Sequence, residues 1–514
     1  MSRTSRTLLI LIVFVGGISS LGTEIALSRL IAPFFGTSLF VWANVIGFTL
    51  LYLTVGYYLG GRLADRYPRE EVLYQLTAVA AVLIGLLPFI SRPILQYSQV
   101  AFATYSLGVF WGSLLVVLLL LAVPITLLGC VSPFAIRLSL EDGDVRQSGS
   151  VAGQLYAIST VGSLLGAFLP TLVLVPNIGT RNTFLTFAFV LLVLSIIALG
   201  RRKLYPVVFL LVLVGLAIVP QVTIKPAQDG VVIEEAESAY NYIRVIEQED
   251  GTRRLELNEG QATHSIYHPS RLLTGGPWDY YLVAPYFAPN VKIDDLQNVL
   301  MIGLGAGTVP KQMTEIYGPI SIVGVEIDPR IVDVGREYFD MTEANLEVVA
   351  QDGRYFLMTD DRKYDLIGTD AYQQPYIPFQ MTTQEYFQHV RDRLTPNGVA
   401  VINVGRTSTD FRLVHTIAGT MKAVFPNVYI IDIPGTINSI VVATNQSSSP
   451  QDFLDNIQPL LVSQDVDDRL RVVLAVASEH YRELTNTETQ VFTDDLAPVE
   501  QLIHTMILDV AQGG

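Results

Sequence analysis

Residues 298–328 read NVLMIGLGAGTVPKQMTEIYGPISIVGVEID. An apolar run, Val299–Ile302, ends in the loop Gly303-Leu304-Gly305-Ala306-Gly307. A helical pattern follows, then a second apolar run, Ile322–Val325, which ends in Glu326. The order is strand, glycine turn, helix, strand, acid. Glycines let the backbone turn sharply and approach a ligand closely, and the helix start adds the positive end of a dipole. An acid closing the second strand is placed to accept hydrogen bonds from a ribose. The stretch therefore points to a nucleoside-type ligand. The bland reading is a tight turn in an α/β domain that binds nothing.

Outward from this stretch the alternation continues. A helix is expected over Pro329–Tyr338, with proline near its start, and a strand over Leu346–Val349, ending at Gln351-Asp352-Gly353. A strand over Tyr364–Gly368 ends at Asp370, and a helix over Thr382–Leu394 leads through Pro396-Asn397-Gly398 to the strand Val399–Val404. A helix over Phe411–Phe425 and a strand pair, Val428–Ile433 and Ser439–Thr444, close the pattern. Strands alternating with helices predict a mostly parallel sheet whose ligands bind beyond the strand C-termini. Glu326, Asp352 and Asp370 are then three strand-end acids converging on the glycine loop. Before the loop, alternating runs at Tyr242–Glu247 and Arg254–Leu257 flank Glu249-Asp250-Gly251, a hairpin signal. The expected organisation is a membrane domain over 1–224, a small β-region over 225–290, a Rossmann-like domain over 291–446 and a mostly helical extension over 447–514. That extension contains Thr493-Asp494-Asp495-Leu496-Ala497-Pro498-Val499-Glu500.

The first 224 residues are of another kind. The mean hydropathy of the chain is +0.41, and its charge is unevenly divided. Residues 1–224 hold 13 Lys/Arg and 7 Asp/Glu, and residues 225–514 hold 20 and 41, giving a net charge of −15. An acidic soluble half argues against a nucleic-acid partner. Cys130 is the one cysteine, so no disulfide and no cysteine zinc site is expected. His264 and His268 show no metal spacing, and no metal is expected. Seven apolar segments, at 7–34, 38–60, 71–90, 107–138, 150–176, 182–199 and 204–220, are near or above the ~20 residues that span a bilayer, the last being marginal. Arg3, Arg6, Arg62, Arg66, Arg69, Arg137, Arg146, Arg201, Arg202 and Lys203 fall in loops on the N-terminal side, against Arg92 and Arg181 opposite. The positive-inside rule puts the N-terminus in the cytoplasm. Seven crossings would put the acidic half outside the cytoplasm and six would put it inside; the sequence leaves the two open. Glu24 and Arg29 lie within the first segment, as a functional site or as a satisfied pair. Gly162 and Gly166 form a GxxxG spacing that reads as helix packing. Gly61–Arg66 (GRLADR) is similar to a short cytoplasmic signature of major facilitator transporters.

Over about 230–445 these motifs resemble the spermidine synthase family of polyamine aminopropyltransferases, in its membrane-fused bacterial branch. The resemblance implies a β-domain before a Rossmann-like methyltransferase fold, and transfer of an aminopropyl group from decarboxylated S-adenosylmethionine to a diamine. It implies that Gly303, Gly305, Ala306 and Gly307 line the donor, that Glu326 in VEID binds the ribose and that Asp352 in QDG meets the adenine amine. Asp370 in TDAY matches the first acid of a DxxD motif that assists deprotonation of the attacking amine. Tyr240 with Ile243 matches an early YxxI element, Gln261 with Thr263 resembles its QxT, and Tyr280-Tyr281 stands for a Tyr-Gln or Tyr-His pair. With Tyr372 and Gln373, the residues Tyr240, Gln261 and Tyr280 are the candidate substrate pocket. Tyr372, Tyr376, Pro378 and Phe379 form an aromatic run after Asp370, as a pocket wall or as loop packing.

Two departures bear on the reaction. Ala306 stands where the family has an Asp that holds the donor's free amine, and Gln373 stands for the second acid of DxxD. Fewer acids predict weaker recognition of a dication. They also remove a charge that would repel the carboxylate of S-adenosylmethionine itself. The expected activity is therefore a membrane-anchored transferase that moves an aminopropyl or related group, from either donor, to an amine by SN2 displacement. An S-adenosylmethionine-dependent methyltransferase on the same fold is the second reading, and a transporter or sensor with a non-catalytic nucleoside- or polyamine-binding domain is the third. The expected partners are an amine or polyamine and the lipid bilayer of a bacterial plasma membrane, and a homo-oligomer is compatible with all three readings.

Overall fold

The computed structural model describes residues 3–105, 109–140, 148–200, 205–220, 223–227, 229–258, 262–372, 377–485 and 490–511. Contacts divide the chain into two units, 1–226 with 235–242, and 227–234 with 243–514.

The first unit is helical: α1 (Arg3–Phe35), α2 (Leu39–Arg66), α3 (Glu70–Tyr105), α4 (Val109–Gly129), α5 (Val131–Ser139), α6 (Ser148–Leu169), α7 (Val175–Leu199) and α8 (Tyr205–Ile218), with a π-helical turn over Pro170–Leu174. Five helical runs are long and apolar enough to cross a bilayer, the longest being Ser148–Leu199 at 52 residues. A straight helix of that length would reach about 78 Å, more than twice a ~30 Å bilayer core. Gly179 breaks it, at φ 77° and ψ 165°, between the two segments expected there.

Glycine contacts fix the helix directions. A Cβ at Gly162 would lie 2.2 Å from the Phe14 carbonyl oxygen, and one at Gly166 2.4 Å from that of Ile18. The two positions advance together, so α1 and α6 run parallel, with the GxxxG pair at their contact. Gly56 meets Thr126 and Gly60 meets Cys130 in the same way, so α2 and α4 are parallel. By contrast Thr77 bonds Ser195 at 2.8 Å while Gly85 meets Ala188, so α3 and α7 are antiparallel. Arg181, just after the break, donates to the carbonyls of Leu216 and Val219 at the end of α8. Lys225 donates to the Pro33 carbonyl at the end of α1 (3.3 Å). The short α8 therefore returns to the end where α1 finishes. The helical runs alternate in direction, so α1 starts and α8 ends at opposite ends of this unit.

Strands β1 (Val231–Glu237), β2 (Tyr242–Glu247), β3 (Arg253–Leu257) and β4 (Thr263–Tyr267), which apart from residues 235–242 belong to the second unit, form a four-stranded sheet in that order. Two 3₁₀ turns, Pro277–Leu282 and Ala284–Phe287, follow. The larger sheet is built from β5 (Asn298–Ile302), β6 (Ser321–Glu326), β7 (Leu346–Ala350), β8 (Tyr364–Thr369), β9 (Leu394–Gly405), β10 (Asn427–Asp432), β11 (Asn438–Thr444) and β12 (Tyr481–Glu483). Its helices are α9 (Thr308–Tyr317), α10 (Pro329–Tyr338), α11 (Gly353–Thr359), α12 (Gln384–Arg393), α13 (Arg412–Lys422), α14 (Pro450–Val462), α15 (Asp468–His480) and α16 (Val499–Ala511). The strand order is β12-β10-β11-β9-β8-β5-β6-β7. Strands β5 to β9 pair in parallel, and β11, β10 and β12 add antiparallel pairs.

Alternate residues of β5 serve the two faces: Leu300 and Ile302 enter one buried core, and Val299 and Met301 the other. Covering both faces explains why these strands read as continuous apolar runs. The chain lays β6 and β7 on one side of β5 and β8 on the other, so a topological switch lies between β5 and β8. Binding crevices form at such switches. The expected strands and helices of this domain are present, within a residue or a few at their ends. The C-terminal extension is helical as expected, except that Tyr481–Glu483 joins the sheet edge as β12.

Candidate active site

The glycine loop and the Asp370 turn meet at the switch point. Gly303 has φ +82°, and a Cβ there would lie 2.5 Å from the Asp370 carbonyl oxygen and 2.7 Å from the Ala371 nitrogen. A side chain at Gly303 would push the end of β8 away. Gly305, at φ +57°, lies against β4, where a Cβ would sit 2.7 Å from the Ser265 hydroxyl oxygen. At both positions glycine admits another part of this chain, beyond whatever it allows a ligand.

The loop amides are all accounted for. Those of Gly303 and Leu304 donate to the Val325 carbonyl, and that of Gly307 donates to Leu304. The Gly305 amide donates to Glu326 Oε2 (2.9 Å) and the Ala306 amide to Ser265 Oγ (2.8 Å). Thr308 and Ile266 exchange two further bonds of 3.0 Å, stitching β4 to the start of α9. A phosphate needs unspent amides at such a turn, and this loop offers none.

Glu326 is buried, and its second oxygen accepts from the Asp328 amide (3.1 Å). Burial raises its pKa to about 7, against the lowering effect of these amides. A carboxylate has about four acceptor sites. The Gly305 and Asp328 amides take one site on each oxygen, and the Ile327 amide also faces the carboxylate.

Asp352 caps α11, accepting from the Tyr355 amide through Oδ1 (2.9 Å). The start of α11 is fixed from the C-terminus: Arg354 makes a two-pronged bond to Asp494 (2.8 and 2.6 Å), which also accepts from Thr383 (2.7 Å). This gives the TDDLAPVE segment a physical role that its sequence alone did not disclose.

The Asp370 carboxyl is enclosed and accepts from the Asn403 side-chain amide (2.9 Å), with the Trp278 indole facing it. Burial raises its pKa to about 6, against the lowering effect of these donors. Asn403 is oriented in turn by Asn438, whose amide donates to its oxygen (3.0 Å). Tyr372 lies beside this chain, but its hydroxyl is committed, donating to the Asn403 carbonyl (3.0 Å) and accepting from the Gly405 amide (2.9 Å). It is a wall of the site rather than a hydrogen-bonding group for a substrate.

The other expected pocket residues divide three ways. Tyr281 is fully buried, with its hydroxyl on the Thr369 carbonyl (2.8 Å), so it supports the end of β8 from beneath; Tyr280, also buried, precedes it. Tyr240 belongs to the first unit, half-exposed with its carbonyl held by Arg29 (3.1 Å), and the site above is built without it. Gln261, Gln373 and Tyr376 lie outside the described residues. Ser265, Trp278, Asn403 and Asp494 are additions that the sequence reading missed. Among the described residues no group of three His, Cys, Asp or Glu could hold a metal ion.

Residues 287–456 match the spermine/spermidine synthase domain family. The soluble half is a spermidine synthase-like domain, fused to a membrane-spanning N-terminal region. A probable polyamine aminopropyl transferase of Bifidobacterium longum is 33% identical over 280 residues, which are 52% of this chain and 61% of that protein. A polyamine aminopropyltransferase of Vibrio vulnificus is 28% identical over 216 residues, 40% of this chain and 70% of that one. The human eEF1A lysine and N-terminal methyltransferase is 28% identical over 188 residues, 34% and 27% of the two chains. Among solved structures, a probable spermidine synthase from Corynebacterium glutamicum is 19% identical, covering 52% of this chain and all of that one, with a TM-score of 0.38.

The raised pKa of Asp370 in this spermidine synthase-like domain bears on stability. Because folding raises the Asp370 pKa from 3.8 to about 6, its contribution is fully present below pH 4 and is lost as pH rises through 6. Asn cannot ionise. Asp370→Asn should therefore unfold at the same or a higher denaturant midpoint than the parent at pH 8. The difference should shrink towards pH 4. A midpoint well below the parent at pH 8 would mean that the carboxylate is a structural anchor.

Proposed function

We propose that this domain transfers an aminopropyl or related alkyl group from an adenosyl sulfonium donor, S-adenosylmethionine or its decarboxylated form, to an amine. The observation that carries the reading is the placement of an enclosed Asp370 at the switch point, across Gly303 from the ribose-type acceptor Glu326. The amine nitrogen attacks a carbon bonded to the sulfonium sulfur. The new C–N bond forms as the C–S bond breaks, and its electron pair neutralises the sulfur. The nitrogen's proton passes to Asp370. An alkylammonium holds its proton to a pH near that of lysine, about 10.4, so a nearby carboxylate that orients it and accepts the proton is what the reaction requires. A raised Asp370 pKa makes it a better base than an exposed carboxylate. Activity should then rise with pH through about 6.

Ala306 bears on which donor is used. It is buried, with its amide tied to Ser265, and it brings no charge to hold an ammonium or repel a carboxylate. That supports S-adenosylmethionine as a donor alongside the decarboxylated form. Together with the likeness to the human methyltransferase, it favours methyl transfer as the second reading. Incubation of the full-length protein with each donor and a panel of amines separates them. Methylthioadenosine is the expected product, S-adenosylhomocysteine would establish methyl transfer, and neither would leave a binding domain. Asp370→Asn should lose at least a hundredfold in turnover while retaining donor binding by calorimetry; unchanged turnover would remove Asp370 from the mechanism.

We also place the N-terminus in the cytoplasm, on the strength of the basic loops. Taking α8 as a seventh pass, we infer that the chain leaves on the opposite side at Ile224, so that the transferase depends on donor delivered to that side. Protease added to intact spheroplasts should cleave the soluble half while sparing an N-terminal tag. Protection of the soluble half until lysis would reverse this assignment.

A further inference from the structure

The arginines of the Gly61–Arg66 stretch (GRLADR) serve neither the packing of the helical unit nor the transferase chemistry. They close α2, a helix of 28 residues. At 1.5 Å per residue it is about 42 Å long, about 12 Å more than a ~30 Å hydrocarbon core. The start of α2, Leu39-Phe40-Val41-Trp42, carries no charge, so the excess of about eight residues falls at the other end. Tyr58 then lies at the edge of the core, and Arg62 and Arg66 lie at the depth of the headgroups.

Two flanks of α2 differ. Gly56 and Gly60 press on α4, where a Cβ would lie 2.3 Å from the Thr126 carbonyl oxygen and 2.5 Å from the Cys130 Cα, and Ala64 continues that buried line. On the opposite flank nothing lies within 4 Å of a Cβ at Gly47 or Gly61. Leu51, Val55 and Tyr58 are exposed there. The i, i+4 spacing carries the same flank on from Tyr58 to Arg62 and Arg66, both exposed. This is the flank that meets lipid.

Its guanidiniums rest on rings and not on acids. That of Arg62 lies 4.2 Å from the centroid of the Tyr58 ring, and that of Arg66 lies 5.5 Å from the Tyr67 ring. Among the described residues neither arginine forms an ion pair, nor does the exposed Arg69 in the turn to α3. The acids of this corner have partners of their own. Asp65 pairs with Arg137 of α5 (3.4 Å), Glu70 accepts from Ser5 of α1, and Glu71 is engaged as well. The Ser5–Glu70 bond sets the corner at the end of the unit where α1 begins. Tyrosine favours the membrane interface, and the planar fork of arginine matches two oxygens of a phosphate.

We propose that the end of α2 and its turn to α3 form a binding site for the headgroup of an anionic phospholipid. Arg62 and Arg66 hold the phosphate oxygens, Tyr58 and Tyr67 keep the two guanidiniums in place, and the acyl chains lie along Leu51 and Val55. The site is separate from Asp370 and lies wholly within the helical unit.

The test is lipid retention by the full-length protein, read by native mass spectrometry. Detergent micelles carry phosphatidylglycerol and phosphatidylcholine of the same acyl chains at equal mole fraction. The parent should retain phosphatidylglycerol about tenfold over phosphatidylcholine, a preference that two arginines at an anionic surface can supply. The double variant Arg62→Gln, Arg66→Gln should bring the preference to within about twofold. Arg362→Gln, which removes an arginine paired with Glu347 and Asp360 in the soluble half, should leave it unchanged. If the double variant does not fold, Arg62→Lys carries the comparison: it keeps the charge, loses the fork and should lose at least half of the preference. Equal retention of the two lipids by the parent would leave these arginines to an acidic protein partner and overturns the proposal. So does a preference that survives in the double variant or falls equally in Arg362→Gln.

Discussion

The soluble half depends on a close crossing of two backbones. Gly303, at the end of β5, lies so near Asp370, at the end of β8, that a single added carbon would collide with the carbonyl. This crossing sits where the sheet changes direction, and it brings together two side chains far apart in sequence. Glu326 enters because its carboxylate takes the Gly305 amide two residues further along the loop. Asp370 enters because its own amide bonds to the Ile302 carbonyl (2.8 Å). Glu326 and Asp370 are thus positioned by the same turn.

Burial sets the chemistry at both acids. Each is pushed above the ordinary carboxylate range by the removal of water, and each is restrained by a small number of N–H donors. For Glu326 these are backbone amides, which lock its orientation. For Asp370 they are the side chains of Asn403 and Trp278, which come from β9 and from the 3₁₀ turn before β5. Perturbed pairs of this kind concentrate at functional sites. They also exact stability at neutral pH, which a purely structural acid would not.

Much of this was legible in the sequence, and the limits have physical causes. The α/β alternation could be read because strands covered on both faces leave long apolar runs, as Val299–Ile302 and Ile322–Val325 do. The strand-end acids could be read because parallel strands deliver their C-termini to one edge. The partners of those acids could not. Ser265 and Asn403 are ordinary mid-strand polar residues whose roles exist only once β4 lies on the loop and β9 lies beside β8. Asp494 is over a hundred residues from Arg354, and its bond forms only because the C-terminus folds back across α11. The seventh membrane segment was marginal by length. The direction of α8 follows from a contact, Arg181 at the end of that helix, that no hydropathy window contains. The sequence reading assigned the glycines to a ligand; two of them at least make room for this chain's own backbone and side chains.

The central claim is that Glu326 receives the ribose diol of a phosphate-free nucleoside at this loop. Calorimetric titration of the full-length protein with 5′-methylthioadenosine and with its 2′,3′-dideoxy analogue tests it directly. The account predicts that the diol strengthens binding at least tenfold in the parent, two charge-assisted hydrogen bonds being able to supply ~1.4 kcal/mol or more. It also predicts that this preference disappears in Glu326→Ala. Equal binding of the two nucleosides by the parent, or a preference that survives in Glu326→Ala, would contradict it.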